Sequence, residues 1–122
     1  MNLQTTPERA LAIVCDYFEI SKSEIIAKDR TKNIKYARQI ACYVIQEFTN
    51  LSYHKIGLII NRDHATVIHS VKKIMIEKEL YRVVNNDLHS IHERIALNDC
   101  VVRTVDLLSI AKLNTLSQSF LN

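Results

Sequence analysis

Apolar side chains recur at intervals of three and four residues along most of the chain, which is the period of an amphipathic α-helix. The first stripe consists of Ala10, Ile13, Val14, Tyr17 and Phe18. Just before it, Thr6 can cap a helix, Pro7 fits the first helical position and Glu8 favours the positive end of the helix dipole. The pattern therefore predicts a helix that begins near residue 7.

Two further stretches continue the helical pattern. Ser21 and Glu24 form a capping-box pattern, which predicts a short second helix that carries Ile25 and Ile26. Residues 28–38 (KDRTKNIKYAR) are basic and weakly periodic, and we interpret them as a loop that runs into the next helix. The apolar stripe of that next helix consists of Ile40, Ala41, Val44, Ile45 and Phe48.

Residues 52–74 have the pattern of two short helices joined by a tight turn. Ser52 can cap the first helix and Asp63 the second, and Asn61 suits the turn because asparagine tolerates the left-handed conformation. The predicted inward positions are Ile56, Ile59, Ile60, Val67, Val71 and Ile74. Together these features predict a helix-turn-helix.

The rest of the chain predicts more helix. The second helix of the pair is expected to continue to about residue 85, followed by helices near 87–96 and 99–113, and the last residues have no clear period. We therefore expect one domain over residues 1–96 and an additional C-terminal helix and tail over 97–122. Apolar side chains in this tail predict a surface for another helix or for a second copy of the chain: Leu107, Leu108, Ile110 and Leu113.

Composition narrows the class of protein. One Gly and one Pro in 122 residues argue against a sheet-rich fold, because hairpins need such turn residues. No apolar run approaches the roughly 20 residues of a membrane span, and the N-terminal sequence lacks the layout of a secretory signal. The cysteines lie far apart in apolar segments, so we interpret them as reduced core residues of a cytoplasmic protein. They are Cys15, Cys42 and Cys100.

Basic side chains are concentrated in the middle of the chain. Residues 21–75 contain ten basic and four acidic residues, whereas the remainder contains six and nine. This asymmetry indicates a face for a polyanion, although an unevenly charged solvated surface explains the charge alone equally well.

The second helix of the pair carries side chains suited to reading DNA. An α-helix fits the major groove, where its N-terminal residues meet base edges. Asp63 can accept from a cytosine amino group, Ala65 can touch a thymine methyl group, and Thr66 can bind a phosphate. Paired helices are common in all-α proteins, so this pattern by itself fits other functions too.

A more specific signal comes from the segment ARQIACYVIQEFTNLSYHKIGLIINRDHATVIHSVKKI. The order RQIA, E-x-T-N, a Ser-initiated helix with IG, RDH-x-TV-x-H and KKI resembles the C-terminal DNA-binding domain of the bacterial replication initiator DnaA. A weaker resemblance extends from about Ala10 to about Ile95 and includes VCDYFEISKSEIIAKDR.

The resemblance implies an all-α, compact helical bundle (DnaA C-terminal, Trp-repressor-like) whose helix-turn-helix binds short sites in duplex DNA. By motif position, the major groove would be read by Asp63, His64, Ala65 and Thr66, and the minor groove by Arg30. The other positions implied at or behind the DNA face are Arg38, Gln39, Tyr53, His54, Lys55, Arg62, His69 and Lys73. Gly57 would allow close packing of helices because it has no side chain.

The sequence departs from the family pattern at four places. Tyr36-Ala37 stands where the family has Arg-Pro, which predicts a less rigid loop and an exposed Tyr36 near the DNA. Asn61 alone replaces a Gly-Gly pair, and Ala65 replaces a Ser or Thr that can hydrogen-bond to DNA. Tyr53-His54 replaces Leu-Pro and alters another DNA-facing edge.

We find no pattern for a metal, a cofactor or catalysis. His89, His92 and Glu93 fit one helical face, but such residues on a charged helix more often form a solvated surface than a metal site. No G-x-x-x-x-G-K-[ST] motif occurs, so an ATP-binding P-loop is excluded.

The sequence therefore predicts a non-enzymatic protein whose partner is double-stranded DNA, bound sequence-specifically in the nucleoid. Its role would be replication initiation or control, or transcriptional regulation. The alternative is a protein-interaction module that kept the fold and lost specific DNA binding.

Overall fold

Residues 5–121 form six α-helices in the computed structural model, which does not describe the side chains at 102, 103, 105, 106 and 109–121. The helices are α1 (Pro7–Phe18), α2 (Lys22–Ile26), α3 (Lys32–Phe48), α4 (Tyr53–Ile60), α5 (His64–Leu80) and α6 (Arg82–Leu121). The described part of the chain contains no strand, so the predicted all-α class is confirmed. None of its helices is both long and apolar enough to cross a membrane.

The four caps predicted from the sequence are present. Thr6 accepts from the Arg9 amide at 3.2 Å, and Ser52 accepts from the Lys55 amide at 3.2 Å. Ser21 has a complete capping box, in which its hydroxyl accepts from the Glu24 amide and Glu24 accepts from the Ser21 amide. The fourth cap, Asp63, begins α5. Each cap satisfies an amide that the first helical turn leaves without a partner.

Helix α3 forms the centre of the bundle. It packs against α1, α2, α4 and α5, while α6 covers α1 and α5. The largest fully buried side chains include Ile25, Ile40, Ile45, Ile56, Ile60, Ile74, Ile91 and Ile95. Burial of each such side chain stabilises the fold by roughly 1.5–3 kcal/mol. This core fixes the faces that α4 and α5 leave to solvent.

The predicted loop over residues 28–38 is wrong beyond Thr31, because α3 already begins at Lys32. Ile34 and Ala37 are buried, so they extend the apolar stripe of α3 toward its N-terminus. Tyr36 is therefore helical and only half-exposed. Its hydroxyl donates to Asp87 on α6 at 2.7 Å, so the expectation that it lies exposed near the DNA face is also wrong.

The C-terminal half also differs from the prediction. Helix α5 ends at Leu80, Tyr81 is extended, and one helix, α6, replaces the two expected near 87–96 and 99–113. No Gly or Pro interrupts residues 82–121, and Val84, Ile91 and Ile95 are buried at helical spacing.

Two of the three cysteines are core residues as predicted. Cys15 and Cys42 are buried, and burial raises the pKa of the Cys42 thiol to about 12, which keeps it protonated and unreactive. Cys100 is exposed on α6, so its predicted place in the core is wrong. Leu107 and Leu108 are exposed as well, whereas the side chains of Ile110 and Leu113 lie outside the described residues.

Candidate nucleic-acid interface

Helices α4 and α5 form the predicted helix-turn-helix, and the turn between them is fixed by its backbone. Asn61 adopts the left-handed conformation with φ 63° and ψ 49°, as expected for an asparagine in a tight turn. The Arg62 amide then donates to the Gly57 carbonyl at 2.9 Å. Asn61 thus supplies the left-handed residue that this turn requires.

Gly57 is required by this turn rather than by a neighbouring helix. A Cβ atom at this position would lie 2.3 Å from the Arg62 carbonyl oxygen. We expected Gly57 to allow close packing of helices, but the group that approaches it is the backbone of the turn at Arg62.

The start of α5 presents polar side chains to solvent. Asp63 is the N-cap and accepts from the Thr66 amide at 2.8 Å. Hydrogen bonds from the Thr66 side chain and backbone lower the pKa of Asp63, so its carboxylate stays ionised at neutral pH. The exposed residues of this end are His64, Ala65, Thr66 and His69. The opposite face of α5 is anchored in the core through Val67, Ser70, Val71 and Ile74.

A short basic loop, residues 27–31, lies between α2 and α3. Asp29 orders it by accepting from the Thr31 amide at 2.7 Å and from the Thr31 hydroxyl, and these bonds lower the pKa of Asp29. Arg30 is exposed, and among the described residues none forms a hydrogen bond or an ion pair with its guanidinium. The tip of the loop therefore offers an uncommitted cation.

The basic loop, α3 and α5 enclose a polar cleft of about 530 Å³. Its lining consists of Lys28, Asp29, Arg30, Lys35, Arg38, Gln39, Asn61, Arg62, Thr66, His69, Ser70 and Lys73. Six of these side chains are basic and one is acidic. The cleft therefore concentrates positive charge directly beside the exposed start of α5.

Two predicted site residues beside this cleft are buried. Arg38 is only 7% exposed, and its guanidinium donates to the carbonyls of Ile25, Ala27 and Asp29 at 2.7–3.2 Å. Burial and the nearby Arg62 guanidinium lower the pKa of Arg38, although an arginine remains protonated at neutral pH. Gln39, the next residue, is also buried and lines the cleft.

Arg62, the arginine of the RDH motif, has the same kind of partners. Its guanidinium donates to the Ala27 carbonyl at 2.7 Å and to the Asn61 carbonyl at 2.7 Å. A longer contact of 3.5 Å joins it to the Ile26 carbonyl. The sequence did not predict the contacts with Ile26 and Ala27, because these partners lie 36 and 35 residues away.

The remaining predicted residues lie in two places. Tyr53, His54 and Lys55 form the exposed first turn of α4. Lys73 lines the cleft and lies 3.9 Å from Glu77, one turn further along α5. Sequence reasoning had not assigned Lys28 and Lys35 to the site, although both belong to the basic segment that it singled out.

Two of the three residues considered for a metal lie together, and the third lies apart. In the part of the chain that the structure describes, no group of three His, Cys, Asp or Glu side chains could hold an ion. His89 lies 3.2 Å from Glu93 on the exposed surface of α6, while the His92 ring packs against Phe48.

Comparison with known proteins gives a consistent result. The bacterial DnaA protein helix-turn-helix family matches residues 7–74, which cover α1 to the middle of α5. The chromosomal replication initiator protein DnaA of Thermoanaerobacter sp. (strain X514) is 40% identical over 82 residues, 67% of this chain and 18% of that protein. The protein of the same name from Cutibacterium acnes is 40% identical over 91 residues, 74% of this chain and 18% of that protein.

A third relative, from Nostoc sp. (strain PCC 7120), is 34% identical over 97 residues, 79% of this chain and 21% of that protein. The chain thus spans only about a fifth of the length of these relatives. The family match covers more than half of the chain and includes both helices of the helix-turn-helix. The chain therefore belongs to the bacterial DnaA helix-turn-helix family.

Proposed function

We propose that this protein binds duplex DNA sequence-specifically, with the start of α5 in the major groove and the basic loop at the adjacent minor groove. The observation that carries the proposal is the cleft, where six basic side chains lie beside the exposed N-terminal end of α5. Phosphate contacts supply most of the affinity of such proteins, and base contacts supply the specificity. The cleft offers basic side chains for the phosphates, and the start of α5 offers side chains for the bases.

The base-reading part is the first turn of α5. One carboxylate oxygen of Asp63 holds the Thr66 amide, which leaves the other to accept from a cytosine amino group. His64 and Thr66 supply hydrogen-bonding side chains, and Ala65 supplies a methyl group for thymine. The amides of His64 and Ala65 belong to the unpaired first turn, where a phosphate is stabilised by the helix dipole.

The positioning part consists of cations on both sides of this turn. Arg30 extends from the basic loop and, as the family resemblance implies, enters the minor groove. Lys28, Lys35 and Lys73 line the cleft and can neutralise the phosphates that run along it. The second edge is formed by the first turn of α4, which carries Tyr53, His54 and Lys55. His69 and Gln39 support the cleft from α5 and α3.

The biological role is proposed from the relatives, whose name is chromosomal replication initiator. We place this protein in replication initiation or its control, acting on chromosomal DNA in the nucleoid as a binding protein rather than an enzyme. Transcriptional regulation through the same sites is the competing role. Mapping of its chromosomal binding sites separates the two, because origin-clustered sites favour replication and promoter sites favour transcription.

The experiment is a selection from a randomised duplex library at two salt concentrations, followed by sequencing of the retained DNA. Specific binding predicts one short enriched site, and affinity that falls steeply as salt rises. The His64→Ala variant should relax the preference at the base positions that His64 reads, while retaining salt-dependent binding.

A second function is favoured by α6, which continues well beyond Ile95, the last buried residue among the side chains of this helix that the structure describes. Leu97, Val101, Leu107 and Leu108 are each more than half exposed on this extension. Their exposure supports a division of the chain into a DNA-binding unit over residues 1–96 and a separate segment over residues 97–122. A second copy of the chain or another protein binds to this C-terminal segment. Measurement of the mass in solution tests this, because a Val101→Asp chain should lose any dimer that the wild-type chain forms.

A further inference from the structure

The basic loop and the helix-turn-helix are joined by an unusual set of contacts at the C-terminal end of α2. Helix α2 ends at Ile26, and the carbonyls around its end have no intrahelical partner. Three side chains from elsewhere in the chain donate to them: Asn61, Arg62 and Arg38. The α2 carbonyls thus form the anchor point of the basic loop.

These donors come from both parts of the DNA-binding surface. Asn61 and Arg62 belong to the turn between α4 and α5, and they reach the Ile26 carbonyl at 3.1 Å and the Ala27 carbonyl at 2.7 Å. Arg38 belongs to α3 and reaches the same Ala27 carbonyl at 3.2 Å and the Asp29 carbonyl at 3.1 Å. Both arginines therefore meet at Ala27, three residues before Arg30.

We infer that Arg62 and Arg38 are positioning residues that clamp the basic loop to the helix-turn-helix turn and so fix the distance between Arg30 and α5. This inference rests on the proposed function for its effect on DNA, but the clamp itself is a property of the free protein. Two separate reading elements recognise one site more tightly when their spacing is fixed, because ordering a mobile loop on binding costs free energy. Arg62 would then affect specificity without itself touching a base.

The competing role for Arg62 is a direct phosphate contact, since it also lines the cleft. The two roles differ in what a lysine can replace. A lysine keeps the positive charge for a phosphate, but it lacks the planar fork that lets one guanidinium span the Ala27 and Asn61 carbonyls. A clamp therefore predicts that Arg62→Lys behaves like Arg62→Ala, whereas a phosphate contact predicts that it behaves like the wild type.

Amide hydrogen exchange in the free protein tests the clamp without DNA. Arg62→Ala and Arg62→Lys should both speed exchange by roughly tenfold or more at the Thr31 amide, which Asp29 binds in the loop, while the core amides of α3 keep their protection. The Asn61→Gly variant keeps the left-handed turn and changes no charge, and it should also speed amide exchange in the loop. Lys28→Ala is the matched control, because Lys28 lines the cleft and no described residue forms a bond with its side chain. The loop amides of this variant should exchange at the wild-type rate.

Library selection then tests the effect on DNA. Both Arg62 variants should lose base preference at the positions that Arg30→Ala loses, and Arg62→Lys should keep the wild-type salt dependence. Lys28→Ala should weaken binding to all sequences and reduce the salt slope by about one. Unchanged exchange in both Arg62 variants would overturn the clamp, as would an Arg62→Lys protein with full wild-type preference. If the wild type selects no site, the proposed function fails, and the exchange data still decide whether the clamp exists.

Discussion

Gly57 and Arg62 approach each other so closely that a Cβ atom on the glycine would lie 2.3 Å from the arginine carbonyl oxygen. Gly57 is helical, so its role does not come from an unusual backbone angle. It comes from the turn, which folds back over α4 so that the Arg62 amide reaches the Gly57 carbonyl at 2.9 Å. The shape of the helix-turn-helix therefore depends on a missing side chain in its first helix.

Replacement of Gly57 by Ala should destabilise the protein by about 3 kcal/mol, because the obstructing atom is backbone and cannot rotate away. Chemical denaturation with circular dichroism measures this change. The matched control is Leu58→Ala, an exposed neighbour on the same helix, which should shift the unfolding free energy by no more than about 0.5 kcal/mol. Equal stability of the Gly57→Ala and wild-type chains would show that the turn relaxes freely.

Asp63 should reveal separate contributions to folding and to DNA reading. Asp63→Ser keeps an N-cap for α5 but replaces the carboxylate acceptor by a shorter, neutral hydroxyl, whereas Asp63→Ala removes both the cap and the acceptor. Only the alanine variant should lower the melting temperature clearly, and both variants should change the selected DNA site. Calorimetry and library selection on the same preparations provide the comparison. A serine variant that selects the wild-type site would remove Asp63 from the base-reading set.

The Asp63 carboxylate should also make the stability of the protein depend on pH in the acid range. Its pKa is lowered in the folded state by the bonds from Thr66, so its stabilising contribution is present above the unfolded pKa of about 4 and is lost as the pH falls through the folded value. The melting temperature should fall less on acidification in Asp63→Ser than in the wild type. Equal acid sensitivity of the two chains would contradict this assignment.

The hydroxyls of Tyr17 and Tyr36 both donate to Asp87, at 2.6 Å and 2.7 Å, and tie α1 and α3 to α6. Burial is the main cause of the raised pKa of Tyr36, and its bond to Asp87 is the second. The bond to Asp87 is the main cause of the raised pKa of Tyr17. A tyrosine whose pKa is higher in the folded state than in the unfolded state makes its full contribution to stability below the unfolded pKa of about 10. Stability should therefore decline as the pH rises above about 10.

A Tyr36→Phe variant checks this relationship. It should be less stable at neutral pH by about 1–3 kcal/mol, because it leaves Asp87 with one donor fewer in a half-buried site. Its loss of stability between neutral and alkaline pH should be smaller than that of the wild type. Urea midpoints at pH 7 and pH 11 would show this, and parallel curves for the two chains would contradict it.

Arg30→Ala and His64→Ala test the two halves of the DNA-reading surface. Each should weaken binding to the selected site by about 1–3 kcal/mol and relax preference at different base positions. Lys35→Ala provides a control, since it should weaken binding to all sequences alike. Titrations by fluorescence anisotropy on matched and scrambled duplexes distinguish these effects. Wild-type binding by both variants would contradict the assignment of Arg30 and His64 to the DNA-reading surface.

Local features of this fold were predictable from the sequence, and long-range ones were not. The caps at Thr6, Ser21, Ser52 and Asp63 act within three residues, so the pattern alone identified them. The left-handed turn at Asn61 was predictable for the same reason.

The errors arose where a distant residue decides the structure. Tyr36 is drawn into the bundle by Asp87, 51 residues away, and Arg62 is held by the carbonyls at the end of α2. Neither partner has a motif that marks it. The start of α3 was missed because Thr31 precedes a weakly periodic basic stretch and makes no side-chain cap hydrogen bond. The break expected within α6 was wrong because no Gly or Pro interrupts residues 82–121.

Selection of DNA from a randomised duplex library by the wild-type protein measures directly whether α5 reads the DNA sequence. We expect one short enriched sequence at both salt concentrations, with affinity that falls as salt rises. Retention of DNA without enrichment would contradict sequence-specific reading by α5, and no retention even at low salt would leave the exposed face of α6 as the functional surface.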